Sequence, residues 1–224
     1  MKKLLFLLFI SLLFSCDNKQ NTLKEWKLNG KVKSLTVTKY SAVEKFREPE
    51  RDEFLFETEY VFDKDGFYKK LESFSADGEL LSKAKPKYGD DGNIKEFKSY
   101  DGDGKFLGKG KYKYDNDGNI KEYRYYNSEN ELLDKQYFKY DSDGNVIEYK
   151  YYSDGKLNHK VNYKWDDDGL FITQFKEYDM DGKFKRKLKY KYNDFDNKKN
   201  WQESIGYERG KAVEITERDI EYYD

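Results

Sequence analysis

Carboxylates recur at fixed spacing in this chain. Tyr112-Lys113-Tyr114-Asp115-Asn116-Asp117-Gly118-Asn119 has relatives at Tyr60 to Gly66, Tyr88 to Asn93, Tyr140 to Asn145 and Trp165 to Gly169. The Asp-x-Asp-Gly portion is a fragment of a calcium loop. A helix-loop-helix calcium site also needs an acid or amide two residues before the first Asp, and a Glu at the twelfth position. Lys113 and Lys139 stand at that earlier place. Asp followed by Gly three residues later is instead the preference of a type I turn leading into a hairpin bulge. Turn formation is therefore favoured over calcium, and no metal ligands are assigned. Asp166, Asp167 and Asp168, the densest acid cluster, are where a calcium-stabilised adhesive module would bind its ion.

Other residue types offer less. His159 is the one His, on a stretch with Leu157, Val161 and Tyr163, and the chain has a single Cys. A zinc site of the usual kind needs more such ligands, and no Ser stands near His159 to be activated as a nucleophile. Asp and Glu are abundant, but they fall at repeated turn and ladder positions, so no pair is marked for acid and base work. These observations point away from an enzyme and from a cofactor. Tyr149, Tyr151, Tyr163 and Trp165 remain as candidate contacts for a glycan or a protein partner, because such rings supply large flat area with a polar edge. The alternative is that they are core: the chain carries 22 Tyr, 16 Phe and 3 Trp and is short of aliphatic side chains.

These residues must be positioned by strands. Gly66, Gly92, Gly118, Gly144 and Gly169 recur about every 26 residues, and a second series of turns at Gly78, Gly104, Asn130, Gly155, Gly182 and Gly210 falls between them. Each repeat thus holds two turns and two strands of about eight residues. Phe184, Arg186, Leu188, Tyr190 and Tyr192 alternate with Lys185, Lys187, Lys189 and Lys191, the period of a strand with one buried face. The expectation is all-β: an antiparallel β-hairpin meander of about 12 to 14 strands. Open sheets seldom exceed about ten strands without curling, so this one should form a coiled or curled repeat sheet, aromatic face inward. One favoured register sets Lys111 near Glu122 and gathers Tyr112, Tyr123 and Tyr125 on one face. Pro86, Gly108 and Gly110 suggest local bends. Ser41 to Arg51, charged and containing Pro49, reads as a loop or frayed helical turn.

Met1-Lys2-Lys3 followed by the apolar run Leu4 to Phe14 reads as a secretory signal, too short for a spanning helix of about 20 residues. Loss of Lys2 and Lys3 on cleavage takes the formal charge from −1 to −3. Mixed signs near neutrality give no net field to gather nucleic acid. Leu13-Phe14-Ser15-Cys16 resembles the lipobox of bacterial lipoproteins, which implies a lipid on Cys16 and a membrane partner through that anchor. The organisation expected is a lipoprotein signal peptide over 1–15, the lipidated Cys16 and a tether over 16–24, capping strands and a loop over 25–59, hairpin repeats over 60–201, and capping strands over 202–224. The recurring Tyr-x-Tyr-Asp-x-x-Gly-Asn, with a second turn between copies, resembles the YD repeats of the RHS family, and the whole resembles small YD-repeat lipoproteins of Bacteroidetes-type bacteria. That likeness implies a β-hairpin array in the cell envelope, at the outer membrane, and no activity. The functional expectation is a non-enzymatic interaction scaffold for another protein, with glycan binding and the calcium module as alternatives.

Overall fold

The turns led by Asp63, Asp115, Asp141 and Asp196 are built the same way in the computed structural model, which describes residues 22–224. Asp115 Oδ1 accepts from the backbone N–H groups of Asp117 and Asn119 at 3.0 and 2.8 Å, and Gly118 N donates to Asp115 O at 3.2 Å. Asp63, Asp141 and Asp196 do the same work in their own turns. Gly118 sits at φ 84° and Gly144 at φ 78°, a left-handed conformation that glycine adopts without penalty. The leading carboxylate of each of these turns is thus engaged with its own backbone.

Between the turns run β1 (Val32–Lys45), β2 (Glu48–Phe62), β3 (Tyr68–Phe74), β4 (Leu80–Tyr88), β5 (Ile94–Asp101), β6 (Phe106–Tyr114) and β7 (Ile120–Asn127). They continue as β8 (Leu132–Tyr140), β9 (Val146–Ser153), β10 (Lys156–Trp165), β11 (Ile172–Tyr178), β12 (Phe184–Phe195), β13 (Trp201–Glu208) and β14 (Lys211–Tyr222), preceded by one short helix, α1 (Thr22–Glu25). Each strand pairs antiparallel with its sequence neighbours, and β14 pairs with β1, from Leu35↔Ile220 to Ser41↔Glu214. The result is a closed barrel, which corrects the expectation of a coiled or curled repeat sheet. An open sheet would leave β1 and β14 with unpaired backbone groups along one side each. Accumulated twist brings those edges together, and closure removes both.

The faces sort as the alternation demands. Tyr112, Tyr123 and Tyr125 share the inner face, with Tyr112↔Tyr123 and Gly110↔Tyr125 as cross-strand pairs. Lys113 is the partner of Glu122, at 3.2 Å, and Lys111 lies opposite Arg124, so the favoured register is displaced by two residues while its faces are kept. Gly108 flanks a bulge, since the register with β5 skips from Ser99↔Gly108 to Tyr100↔Phe106, whereas Gly110 stands in regular register opposite Phe97. A Cβ on Gly110 would fall on the Tyr123 ring, and one on Gly108 would strike the Tyr126 backbone oxygen and then the Tyr125 hydroxyl, so Gly110 makes room for a tyrosine inside the barrel and Gly108 for a close approach of backbone. Pro86 stands in the ladder opposite Phe97, and the irregularity comes one residue later, between Lys87 and Tyr88.

Residues 41–51 are not a loop. β1 and β2 continue as a paired hairpin to the turn at Phe46 and Arg47, with Pro49 opposite Glu44. Its arm lays Ala42 against the outward Ile205, Ala212 and Ile215, and Pro49 is tolerated because the strand there is an edge.

Candidate functional site

The hairpin turns divide between two mouths. The octapeptide turns, the start of β1 and the end of β14 form the first; the second series of turns and the β1–β2 tip form the other. At the first mouth, α1 and the residues after it sit across the opening as a plug. Leu23, Trp26 and Leu28 are buried in one cluster with Val32, Leu35 and Phe62. Trp26 Nε1 donates to Tyr68 Oη. Asn200 clasps the plug's backbone, its Oδ1 accepting from Asn29 N at 2.8 Å and its Nδ2 donating to Asn29 O at 3.0 Å. The Arg218 guanidinium lies over the Trp201 ring at 3.5 Å and near the Trp26 ring at 5.5 Å. Burial pushes Arg218 down to about 9, with Tyr192 and Tyr60 acting the other way. Even so lowered, the guanidinium keeps its proton at neutral pH and stands as a buried cation held by ring faces.

Beside the plug is a cavity of about 300 Å³ lined by Asp141, Asp143, Asn145, Tyr163, Trp165 and Asp166, among others. Trp165 is held by its Nε1 donating to Val146 O at 2.8 Å. Lys27 lies in the field of Asp141, Asp143 and Asp166; burial lowers its pKa and those carboxylates oppose the fall. Among the described residues there is no group of three His, Cys, Asp or Glu side chains arranged to hold a metal ion.

The four aromatic candidates separate. Tyr149 and Tyr163 belong to the inner core, packed with Phe138, Val161 and Phe175; burial raises the pKa of both phenols. Tyr151 is inward and half-buried, its ring centroid 5.3 Å from that of His159. Only Tyr163 and Trp165 line the cavity together. Closure thus makes the aromatic stripe part of the barrel lining, with all four rings half-buried. His159 packs between Tyr149 and Tyr151, and burial lowers its pKa. Cys16 lies outside the described residues.

Toward the second mouth the lumen carries charge that the alternation pattern did not single out. Glu177 pairs with Arg186 at 2.6 Å, and Glu214 with Lys39 at 2.9 Å. Glu214 also accepts from Tyr190 Oη at 2.9 Å. Asp134 is the inward neighbour of Tyr125 on one side and Ser153 on the other. Its Oδ1 is buried without a hydrogen-bond partner among the described residues. Burial pushes this carboxyl up to about 6, against the Gln136 amide.

The outer wall is of a different character. Lys85, Lys98 and Lys109 stand side by side on adjacent strands, as do Lys176 and Lys187. Lys113–Glu122–Arg124 and Lys139–Glu148–Lys150 form ion-pair ladders. Large apolar side chains are exposed mainly at the second mouth: Phe46, 99% exposed at the hairpin tip, with Leu81, Leu132, Met180 and Phe184 near the turns.

Neither a protein-family model nor a curated protein matches this sequence. Among solved structures, the chain is similar to a porin-like protein from Bacteroides uniformis, with a TM-score of 0.53 at 11% identity over 87% of this chain and 98% of that one. A second porin-like protein, from Bacteroides vulgatus, aligns with a TM-score of 0.48 at 11% identity over 86% and 98% of the two chains. The likeness is one of fold, a closed β-barrel.

Proposed function

We propose that this chain is a non-enzymatic envelope lipoprotein whose barrel stands in water beside a membrane and serves as an interaction scaffold for another protein. The observation that carries the reading is the lysine-covered outer wall. A barrel that spans a bilayer turns an apolar band to lipid, and each Lys at the midplane of that face costs about 2–4 kcal/mol. Rows of them make insertion untenable, whatever the porin-like fold suggests. No described helix is long and apolar enough to cross a membrane. In this reading the anchor is a lipid on Cys16, at the outer membrane. The repeats are read as YD-type hairpins closed into a ring.

The plug gives the anchored barrel an orientation. Five residues lie between Cys16 and Thr22, so the six steps reach at most about 22 Å at about 3.3–3.6 Å per residue. The plugged mouth therefore faces the membrane, and the second mouth, with its apolar rim and Phe46 finger, faces away toward a partner protein. A glycan reading is kept for the Tyr163–Trp165 cavity, since rings next to carboxylates and an amide suit a sugar.

Fractionation with site-specific photocrosslinking tests this. The wild-type chain is expected in the membrane fraction, Cys16→Ser is expected to be soluble without detergent, and a crosslinker at Phe46 is expected to give one discrete protein adduct that a crosslinker at Lys139 does not. Membrane retention of Cys16→Ser after an alkaline carbonate wash would overturn the anchored-barrel reading.

A further inference from the structure

Asp134 is out of keeping with the other inward acids. Glu177 and Glu214 each have a cation at contact distance, as a carboxylate removed from water requires. Asp134 has the Gln136 amide, an unpartnered Oδ1 and no cation among the groups acting on it. What surrounds it is aromatic. Tyr123, Tyr125, Tyr149 and Tyr151 all lie close enough to feel its charge, and Tyr125 is fixed by its hydroxyl hydrogen bond with Ser99 Oγ at 2.8 Å. Asp134 and Tyr151 keep partial contact with solvent, while Asp134 Oδ1 itself is buried. It lies near the start of β8, at the unplugged mouth.

We propose that Asp134, with the ring faces of Tyr125 and Tyr151, is a binding site for a small organic cation carrying an alkylammonium head. One carboxylate supplies the counter-charge and the tyrosine faces supply the cation–π surface, which attracts most strongly when desolvated. A hard divalent ion is a poorer occupant. It wants six or more oxygen ligands, and no cluster of three acid, His or Cys ligands occurs among the described residues. A neutral sugar is also poorer, because it leaves the carboxylate without its counter-charge. The proposal does not depend on the lipid anchor or on a protein partner.

The test is calorimetric titration of the full chain in detergent with choline and with cadaverine, against 3,3-dimethyl-1-butanol, the uncharged isostere of choline. At least one of the two cations is expected to bind at one site while the isostere does not. Asp134→Asn is expected to weaken that binding about tenfold or more. Tyr151→Phe should keep it and Tyr151→Leu should lose it, a contrast that reads the ring face even if Asp134→Asn folds poorly. Absence of heat with both cations, equal binding of the isostere, or undiminished binding in Asp134→Asn and Tyr151→Leu would each overturn the proposal.

Discussion

At the scale of single residues, the barrel's interior is a compromise between few aliphatic side chains and many tyrosines. Tyrosine fills the volume but brings a hydroxyl that must be satisfied, and several do so by donating to a neighbouring strand's carbonyl. Tyr114 donates to Ile94 O, Tyr140 to Ile120 O and Tyr192 to Ile172 O, at 2.8, 2.8 and 3.0 Å. Asp134 is where the compromise is incomplete. Its folded pKa, about 6, is raised above the ordinary value of about 4, so the folded state binds the proton more tightly than the unfolded chain. Stability therefore falls as pH rises from about 4 to about 6 and stays lower above that. Discounting for its partial exposure leaves about 1–2 kcal/mol. Asp134→Asn is thus expected to raise Tm by about 2–6 °C at pH 8 and to leave it unchanged at pH 4, read by thermal melts across that range. The sequence made the turn Asp and Gly legible, because their chemistry is local. It concealed the role of Asp134, which looks like any other acid in a strand until its cross-strand neighbours Tyr125 and Ser153 are known.

At the scale of elements, α1 and the residues after it are the piece with the least support from its own length. Four residues of helix are far too few to persist alone. The plug holds because Leu23, Trp26 and Leu28 are buried, Arg218 bridges Trp26 to Trp201, and Asn200 clasps Asn29 on both backbone groups. Asn200 is the last residue of an octapeptide-like turn, so the same position that closes a hairpin elsewhere here also captures a distant segment. Removing a buried Trp costs about 3–5 kcal/mol in a core that cannot rearrange, but the plug can instead undock. Trp26→Ala is expected to release it. Amide exchange at residues 22–30 should then quicken by orders of magnitude while the strands keep their protection, with only a small drop in Tm. Periodicity announced the strands from β3 onward with their turns. It did not announce the plug, read only as tether and capping segment, nor the strand character of residues 41–51, because both depend on partners far along the chain.

At the scale of the whole molecule, the question the sequence left open was where the first and last strands go. Local alternation is the same in a curled open sheet and in a barrel; the difference lies in one long-range pairing, β1 with β14. Its chemistry is visible only once the pair is known: Lys33 meets Glu221 at 2.9 Å across the seam, Lys39 meets Glu214, and Tyr223 N donates to Lys31 O at 2.8 Å. The outward pair Thr36↔Asp219 lies in the middle of this seam. Thr36→Cys with Asp219→Cys, in a Cys16→Ser background so that no other thiol competes, is expected to form an intramolecular disulfide on mild oxidation. In the chain-entropy account, a loop that long is worth up to about 5 kcal/mol, less whatever strain the cross-strand geometry imposes, so the oxidised form should melt several degrees above the reduced one. In a curled open sheet these two positions would lie on opposite edges, and oxidation would give intermolecular dimers or nothing. The same measurement bears on function, because only a closed ring has an inside, and the charged lumen and its two unlike mouths exist only if the seam does.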